Sequence, residues 1–317
     1  MIAEHADKVA RRVHASAPAG VAYALMADAP SWPLYFSSIV HVEQLEFDGV
    51  RERLRTWTLL DGQVKAWTSQ RHLDPVARRM EFWQEIAAPP FHTAGGILSA
   101  RPDGPHHSEL ELRYDYSVGA DSPGDLEWAQ RATDAHSRAQ LADLKAFAER
   151  WTRLDELVLS FEDTVHINGP AELVYDFLYR AGDWPDLAPH VQQVDLSESA
   201  PGVQHMTMRT LTEYGTHTTA SVRICFPHAE RIVYKQTTPL PLLEAHTGEW
   251  SVVPDERGVT VTAQHSVVLS EEHIADVLGR QATLADACRH VREALGRDSR
   301  VLLAHAKTHA ESAVRML

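Results

Sequence analysis

Val13-His14-Ala15-Ser16-Ala17-Pro18-Ala19-Gly20-Val21-Ala22-Tyr23 is answered 152 residues later by Val165-His166-Ile167-Asn168-Gly169-Pro170-Ala171-Glu172-Leu173-Val174-Tyr175. Val-His, Pro-Ala and Tyr coincide. The same interval carries Trp32-Pro33 onto Trp184-Pro185, Val42 onto Val194, Ser69 onto Ser221 and Arg71 onto Arg223. It also carries Pro75 onto Pro227, Arg79 onto Arg231 and Gln84 onto Gln236. No gap is needed between Val13 and Gln84. A short indel is then expected, after which His92-Thr93 matches His246-Thr247. An ungapped register containing two Trp-Pro dipeptides is the mark of a duplicated unit. Two domains are therefore expected, over 1–153 and 154–317.

Each copy reads alike. A first strand, about 8–15 and 157–167, leads into a short helix at Pro18 or Pro170, and proline suits the first helical turn. A turn at the Trp-Pro pair and several alternating segments follow. Each copy closes with a long helix, about 125–151 and within 282–316. Leu126, Ala129, Ala132, Leu141, Leu144, Phe147 and Trp151 form the apolar stripe of the first. Leu284, Val291, Leu295, Leu302, Leu303 and Val314 form that of the second. Strand, short helices, six strands and a long helix is the α+β helix-grip order, in which a curved antiparallel sheet wraps the closing helix around an internal pocket. Polar residues on the concave face are then costly unless something satisfies them.

The bulk properties narrow the function. The chain has 317 residues, 44% of them hydrophobic and 23% charged, as in a soluble globular protein. Its formal charge of −14 repels phosphate backbones and anionic lipid, which speaks against nucleic acid and membrane partners. The segment Met1–Lys8 lacks the apolar core of a signal peptide, and no stretch approaches the ~18 apolar residues of a membrane span. A cytoplasmic protein is expected. Cys225 and Cys288 have no CxxC spacing, and the 19 histidines include no HExxH pair, so neither a disulfide framework nor a metal site is indicated.

The strand Val64-Lys65-Ala66-Trp67-Thr68-Ser69-Gln70-Arg71-His72-Leu73 carries the chemistry. Alternation places Trp67, Ser69, Arg71 and Leu73 on one face, opposite the polar Thr68, Gln70 and His72. The first face is expected inside, which buries Arg71. A buried guanidinium keeps its charge and must meet a carboxylate or a polar ligand. A structural salt bridge to a nearby acid is the alternative to a ligand. The second copy keeps Ser221 and Arg223 but has Thr219 for Trp67. Its other face, Ala220, Val222 and Ile224, is apolar enough to meet another domain or subunit, or else Arg223 points outward.

Further candidates line the same space. Leu110, Leu112, Tyr114 and Tyr116 share a face, making both tyrosines candidate pocket phenols, and Phe82 is a further candidate for restricting a bound chain. In the second copy His265 shares a face with Val261, Ala263 and Val267 and is the one imidazole expected inside. His217 and Tyr234 join it as candidate substrate contacts. Trp32 and Trp184 read as packing anchors at the pocket mouth. Tyr35 becomes Leu187 in the second copy, so the fold does not require its phenol. Arg51, Arg53, Arg55, Arg78 and Arg79 form either a docking patch for an acidic protein or an ordinary solvated face.

The Trp-Pro-x-Tyr-Phe segment at 32–36 and the strand Trp67-x-Ser69-x-Arg71 ending at Asp74-Pro75 resemble the aromatase/cyclases of bacterial type II polyketide synthases. These are helix-grip proteins of the START-like, Bet v 1-like group, and the resemblance spans the whole chain as a didomain member. It implies that Arg71, Ser69, Tyr35 and Trp67 bind and fold a poly-β-ketone held on an acyl carrier protein of a minimal polyketide synthase. Arg223 and Ser221 correspond to them in the second copy, which lacks the tyrosine and the strand tryptophan. Arg71 would hold the enolate oxygen, and Tyr35 would shuttle the proton. On that reading the first copy carries cyclisation, and the second assists aromatisation or mainly supports the fold. No cofactor is implied. The competing reading is a non-catalytic carrier or sensor of a lipid or aromatic ligand.

Overall fold

The computed structural model describes residues 4–60, 62–87, 89–119, 123–212 and 215–315. The chain divides into two units, Met1–Leu154 and Asp155–Leu317. In the first, strand β1 (Glu4–Ala15) leads to helix α1 (Ala19–Ala27) and the single turn α2 (Trp32–Tyr35). Strands β2 (Ile39–Phe47), β3 (Arg51–Leu60), β4 (Gln63–Asp74), β5 (Arg79–Gln84), β6 (Phe91–Pro102) and β7 (Ser108–Gly119) follow. Helix α3 (Pro123–Glu149) closes the unit, and the short α4 (Leu154–Leu157) leads onward. The second unit runs β8 (Val158–Ile167), α5 (Ala171–Tyr179), a 3-10 segment at Ala181–Asp186, and β9 (Val191–Ala200). It continues through β10 (Val203–Thr212), β11 (Gly215–Phe226), β12 (Arg231–Thr238), β13 (Leu243–Asp255), β14 (Gly258–Leu269), α6 (Ile274–Leu278) and α7 (Leu284–Arg315).

Each unit has one seven-stranded sheet, ordered β1-β7-β6-β5-β4-β3-β2 and β8-β14-β13-β12-β11-β10-β9, antiparallel throughout. Every neighbour but one is sequential, so hairpins build the sheet and the first strand returns to pair with the last. Pro18 and Pro170 sit just before their helices rather than inside the first turn. The closing helices bury the expected stripes: Ala129, Leu141, Leu144 and Phe147 in α3, and Val291, Leu295, Leu302 and Leu303 in α7. Trp151 departs from the expected stripe, because α3 ends at Glu149 and the indole is left exposed. Met316 lies outside the described residues.

The repeat is tighter than the sequence reading had it. Arg79 pairs with Ser99 and Phe82 with Gly96, as Arg231 pairs with Ser251 and Tyr234 with Gly248. The 152-residue interval therefore persists through β6 and β13. The length difference falls in the next hairpin, where Pro102 meets Ser108 and Pro254 meets Val259. Consequently Ala94, and not His92, occupies the place of His246.

Candidate functional site

Arg71 stands directly across the β3–β4 ladder from Glu52, and each side chain is 1% exposed. Its Nε donates to Glu52 Oε2 at 2.7 Å, and Nη2 donates to the same oxygen. Nη1 donates to the Met26 carbonyl at 3.1 Å and meets Met80 Sδ at 3.0 Å, while Nη2 also donates to the Ala27 carbonyl at 3.1 Å. A guanidinium has five N–H groups; the protein engages all of them. Met26 and Ala27 are the last residues of α1, whose carbonyls lack partners within the helix and form the negative end of its dipole. The guanidinium thus closes the helix end and stacks over Trp32, 4.5 Å from the ring centre.

Beside this clamp lies a cavity with about 540 Å3 of empty space, bordered by Trp32, Trp67, Ser69, Arg71, Phe82, Gln84, Tyr114 and His136. A neighbouring lobe of about 500 Å3 shares Trp67, Gln84, Tyr114 and His136 and adds Phe91 and Trp128. Aromatic faces dominate these walls. Burial pushes the Tyr114 phenol up to about 12 and the His136 imidazole down to about 4. His136 is therefore neutral at physiological pH, and its Nδ1 is buried without a partner.

The second unit repeats the frame with one change. Arg223 lies across the β10–β11 ladder from Gln204, which holds the place of Glu52. Arg223 is 2% exposed and Gln204 1%. Arg223 Nη2 donates to the Leu178 carbonyl at 2.5 Å and Nη1 to the Tyr179 carbonyl at 3.5 Å, closing the end of α5. Trp184 lies 5.6 Å away. Among the described residues Arg223 meets no carboxylate, and three of its N–H groups have no protein acceptor. Burial lowers the pKa of Arg223, and the nearby Cys225, Tyr175, Tyr179 and Tyr234, themselves neutral because their own pKa values are raised, supply no counter-charge at neutral pH.

The cavity beside Arg223 has about 660 Å3 of empty space and is bordered by Ser221, Tyr234, Gln236, His246, His265, Asp298 and Ser299 among others. His265 Nε2 lies 2.7 Å from Ser299 Oγ, and its Nδ1 lies 3.0 Å from both Tyr234 Oη and His246 Nε2. Tyr234 Oη is 3.3 Å from His246 Nε2. Gly248 makes the network possible: it sits between Tyr234 and His265 in the ladder, and a Cβ there would fall 2.3 Å from the Tyr234 oxygen. A strand glycine of this kind marks a close approach. Burial holds His265 down to about 4 and His246 well below the usual imidazole range, with the neighbouring His265 adding to the latter. Ser221 Oγ, Gln236 Oε1 and His246 Nδ1 are buried with no partner. Buried polar groups without a partner cost about 1–3 kcal/mol each, and these three gather around one cavity.

Of the residues singled out from sequence, Trp32, Trp67, Ser69, Arg71, Phe82 and Tyr114 border the first cavity. Ser221, Arg223, Tyr234 and His265 border the second, and His217 borders an apolar outer lobe that shares Leu295 and Asp298 with it. Two tyrosines need correction. Tyr35 is absent from the cavity wall: its ring packs on Phe147 and its hydroxyl donates to Asp28 at 3.2 Å. Tyr116 is buried, but its ring packs on Phe91 and its hydroxyl donates to Asp7 Oδ2 at 3.2 Å on β1. Arg71 was expected to hold an enolate, yet Glu52 and the helix end leave it no free donor. Nor is His265 the only inward imidazole of its unit, since His246 adjoins it. Arg223 points inward, while Val222 and Ile224 on the opposite face are also buried. Of the arginine patch, Arg53 pairs with Glu85 and Glu46, Arg79 pairs with Glu81, and Arg55 stacks on Trp57. Sequence reading missed Glu52, Gln204, His246, His136 and Ser299.

The polyketide cyclase/dehydrase and lipid transport family matches residues 6–149 and 158–311, one match per repeat. The chain belongs to that family. It is 41% identical to the actinorhodin polyketide synthase bifunctional cyclase/dehydratase of Streptomyces coelicolor, covering 96% of each chain. It is 39% identical to the granaticin polyketide synthase bifunctional cyclase/dehydratase of Streptomyces violaceoruber, over 95% of this chain and 93% of that one. Among solved structures it superposes on the di-domain ARO/CYC BexL of the BE-7585A biosynthetic pathway with a TM-score of 0.86 and 43% identity, covering 96% of this chain and 99% of that one. The di-domain ARO/CYC StfQ of the steffimycin pathway gives 0.83 and 30%, with the same coverage. No helix among the described residues is long and apolar enough to cross a membrane.

Proposed function

We propose that the chain is a bifunctional polyketide cyclase/dehydratase whose first cavity bends a poly-β-ketone for ring closure and whose second cavity carries the proton transfers of dehydration. Family membership and end-to-end likeness to proteins named for that activity support the enzyme class. The observation behind the division of labour is chemical. The relay Ser299–His265–Tyr234 and an arginine with donors to spare share the second cavity, whereas aromatic surface and a saturated arginine border the first.

A methylene between two ketones is already acidic. Loss of its proton gives an enolate, whose carbon attacks a second carbonyl; that oxygen takes up a proton and becomes a hydroxyl. Shape decides which carbonyl is reached, and Trp67, Phe82 and Tyr114 supply it. Dehydration then removes a C–H proton beside the new hydroxyl and expels the oxygen with a proton as water. Neutral His265 can take the first proton, because its lowered pKa leaves it unprotonated. Tyr234, bonded to His265 Nδ1, is placed to deliver a proton to the departing oxygen. Carbon–carbon bond formation and loss of water leave no electrons to be exchanged, so the sequence of steps is balanced without a redox partner.

A carrier protein bearing the chain, from the minimal synthase, is the delivering partner on this reading. The test is reconstitution with a minimal polyketide synthase and analysis of the products. His265→Ala is expected to let ring-closed, undehydrated material accumulate, and Trp67→Ala to change the ring pattern. Unchanged products from His265→Ala would overturn the assignment. Return of the carrier-bound chain unaltered by the native protein would instead make it a binder.

A further inference from the structure

The two cavities differ at the atom that decides what charge they accept. We infer that Gln204, standing where the first unit has Glu52, turns the second cavity into a site for an oxyanion on a flat carbon skeleton, an enolised 1,3-diketone or an aryl carboxylate. The first cavity, by the same comparison, takes neutral ligands. This deepens the functional reading above and rests on it only for the natural guest, since the charge argument concerns binding alone.

The frame is constant. In both units the guanidinium lies on the concave face, closes the C-terminus of the first helix and stands by the indole of a Trp-Pro pair. The cross-ladder neighbour is the variable. Glu52 neutralises Arg71 and consumes two of its N–H groups. Gln204 neutralises nothing, and its amide turns away, with Nε2 directed to the Tyr179 carbonyl and Glu198, each at 3.4 Å. Two carboxylates come near without compensating Arg223. Glu198 is bound by the Tyr179 hydroxyl and the Gly202 amide, and Asp298 lies 3.8 Å from Arg297 on α7.

A buried, unpaired cation costs several kcal/mol, and the sheet retains it beside an open cavity. Ser221, with an unpartnered hydroxyl, is two residues along the same strand face. A delocalised oxyanion would accept from the spare N–H groups and from Ser221, while Met206, Met208 and Trp250 cover its carbon skeleton. Charge-assisted hydrogen bonds of this kind are the strong ones.

Titration of the full chain with 2-naphthoate, its neutral isostere 2-naphthamide and the enolised diketone 1,3-indandione tests the inference by calorimetry. Native protein is expected to bind one 2-naphthoate per chain. Gln204→Glu should weaken 2-naphthoate by about tenfold or more and leave 2-naphthamide within about twofold. Glu52→Gln should add a second 2-naphthoate site. A parallel loss for 1,3-indandione identifies the enolate as a ligand; its indifference leaves the carboxylate. Equal weakening of the amide, or unchanged 2-naphthoate affinity in Gln204→Glu, overturns the inference, as does no 2-naphthoate binding to the native chain. Should Glu52→Gln fail to fold, Gln204→Glu decides alone. Product profiles of a reconstituted synthase are read separately, so charge selection can survive even if the division of catalytic labour fails.

Discussion

Replacing each buried arginine by methionine should cost the two units very different amounts of stability. Arg71→Met strands Glu52, a carboxylate 1% exposed whose Oε2 accepts from both Nε and Nη2 of the lost side chain. Breaking a buried pair by removing one partner costs about 3–5 kcal/mol. The Met26 and Ala27 carbonyls lose their partners as well, so the upper part of that range applies. Arg223→Met strands no acid. It forfeits two carbonyl hydrogen bonds, about 0.5–1.5 kcal/mol each, and a ring contact worth about 1–2 kcal/mol. Against this, it removes a cation whose uncompensated burial costs several kcal/mol. The expected net change is within about 1 kcal/mol of zero. For a domain of this size 1 kcal/mol moves Tm by about 2–4 °C. Calorimetric melting of the full chain should therefore show one transition falling by about 8–20 °C in Arg71→Met and almost no movement in Arg223→Met. Equal losses would mean that Arg223 has a counter-charge after all, and the contrast between Glu52 and Gln204 would lose its meaning.

Other consequences are open to measurement. Gly248→Ala should displace the Tyr234 phenol, because the new Cβ would fall 2.3 Å from its oxygen; dehydration is expected to fall more than ring closure when products are quantified. His265 is held near 4 against an ordinary value of 6.5, so its neutral form is favoured by folding. That stabilisation is complete above pH about 6.5, where the unfolded group is also neutral, and is lost as pH falls toward 4, amounting to about 3 kcal/mol. Urea midpoints of His265→Asn should accordingly decline less between those pH values than those of the native chain. The acid limb of dehydration should likewise fall well below pH 6, and a limb centred at 6.5 would show that His265 is not the base.

Much of the fold could be read because a strand has a period of two and a duplication has a fixed interval. Trp67, Ser69 and Arg71 alternate with Gln70, which is exposed, and the inward assignment follows directly from that pattern. The site was harder for reasons of register. Glu52 and Gln204 lie within the ungapped interval, so their exchange was visible, but its meaning depends on which residue faces Arg71 across a ladder. His246 was obscured by placing the indel before β6; with the interval kept, it replaces Ala94 and its inward direction follows. Ser299 belongs to a helix that keeps a different interval. Lys145 and Lys307 both cap the first strand's carbonyls, at His14 and His166, and lie 162 residues apart. The same spacing sets Ser299 on Ser137. Tyr35 failed for another cause, since one helical turn does not fix which side of the α2 rim a phenol takes until Asp28 and Phe147 are in place.

The retained arginine need not be a catalytic signature in both halves. A helix ending against a concave sheet exposes carbonyls that water cannot easily reach, and a long cation rising from the facing strand satisfies two of them at once. That duty is discharged in each unit, by Arg71 at Met26 and Ala27 and by Arg223 at Leu178 and Tyr179. What remains of the guanidinium is then free to be allocated. An acid across the ladder returns it to neutrality and leaves shape as the means of recognition. An amide in the same place leaves a charge and its donors facing the cavity, next to a histidine kept neutral by burial. On the proposed division of labour, the same scaffold yields one chamber for holding a flexible ketone chain and one for stabilising the oxyanion that forms when it reacts.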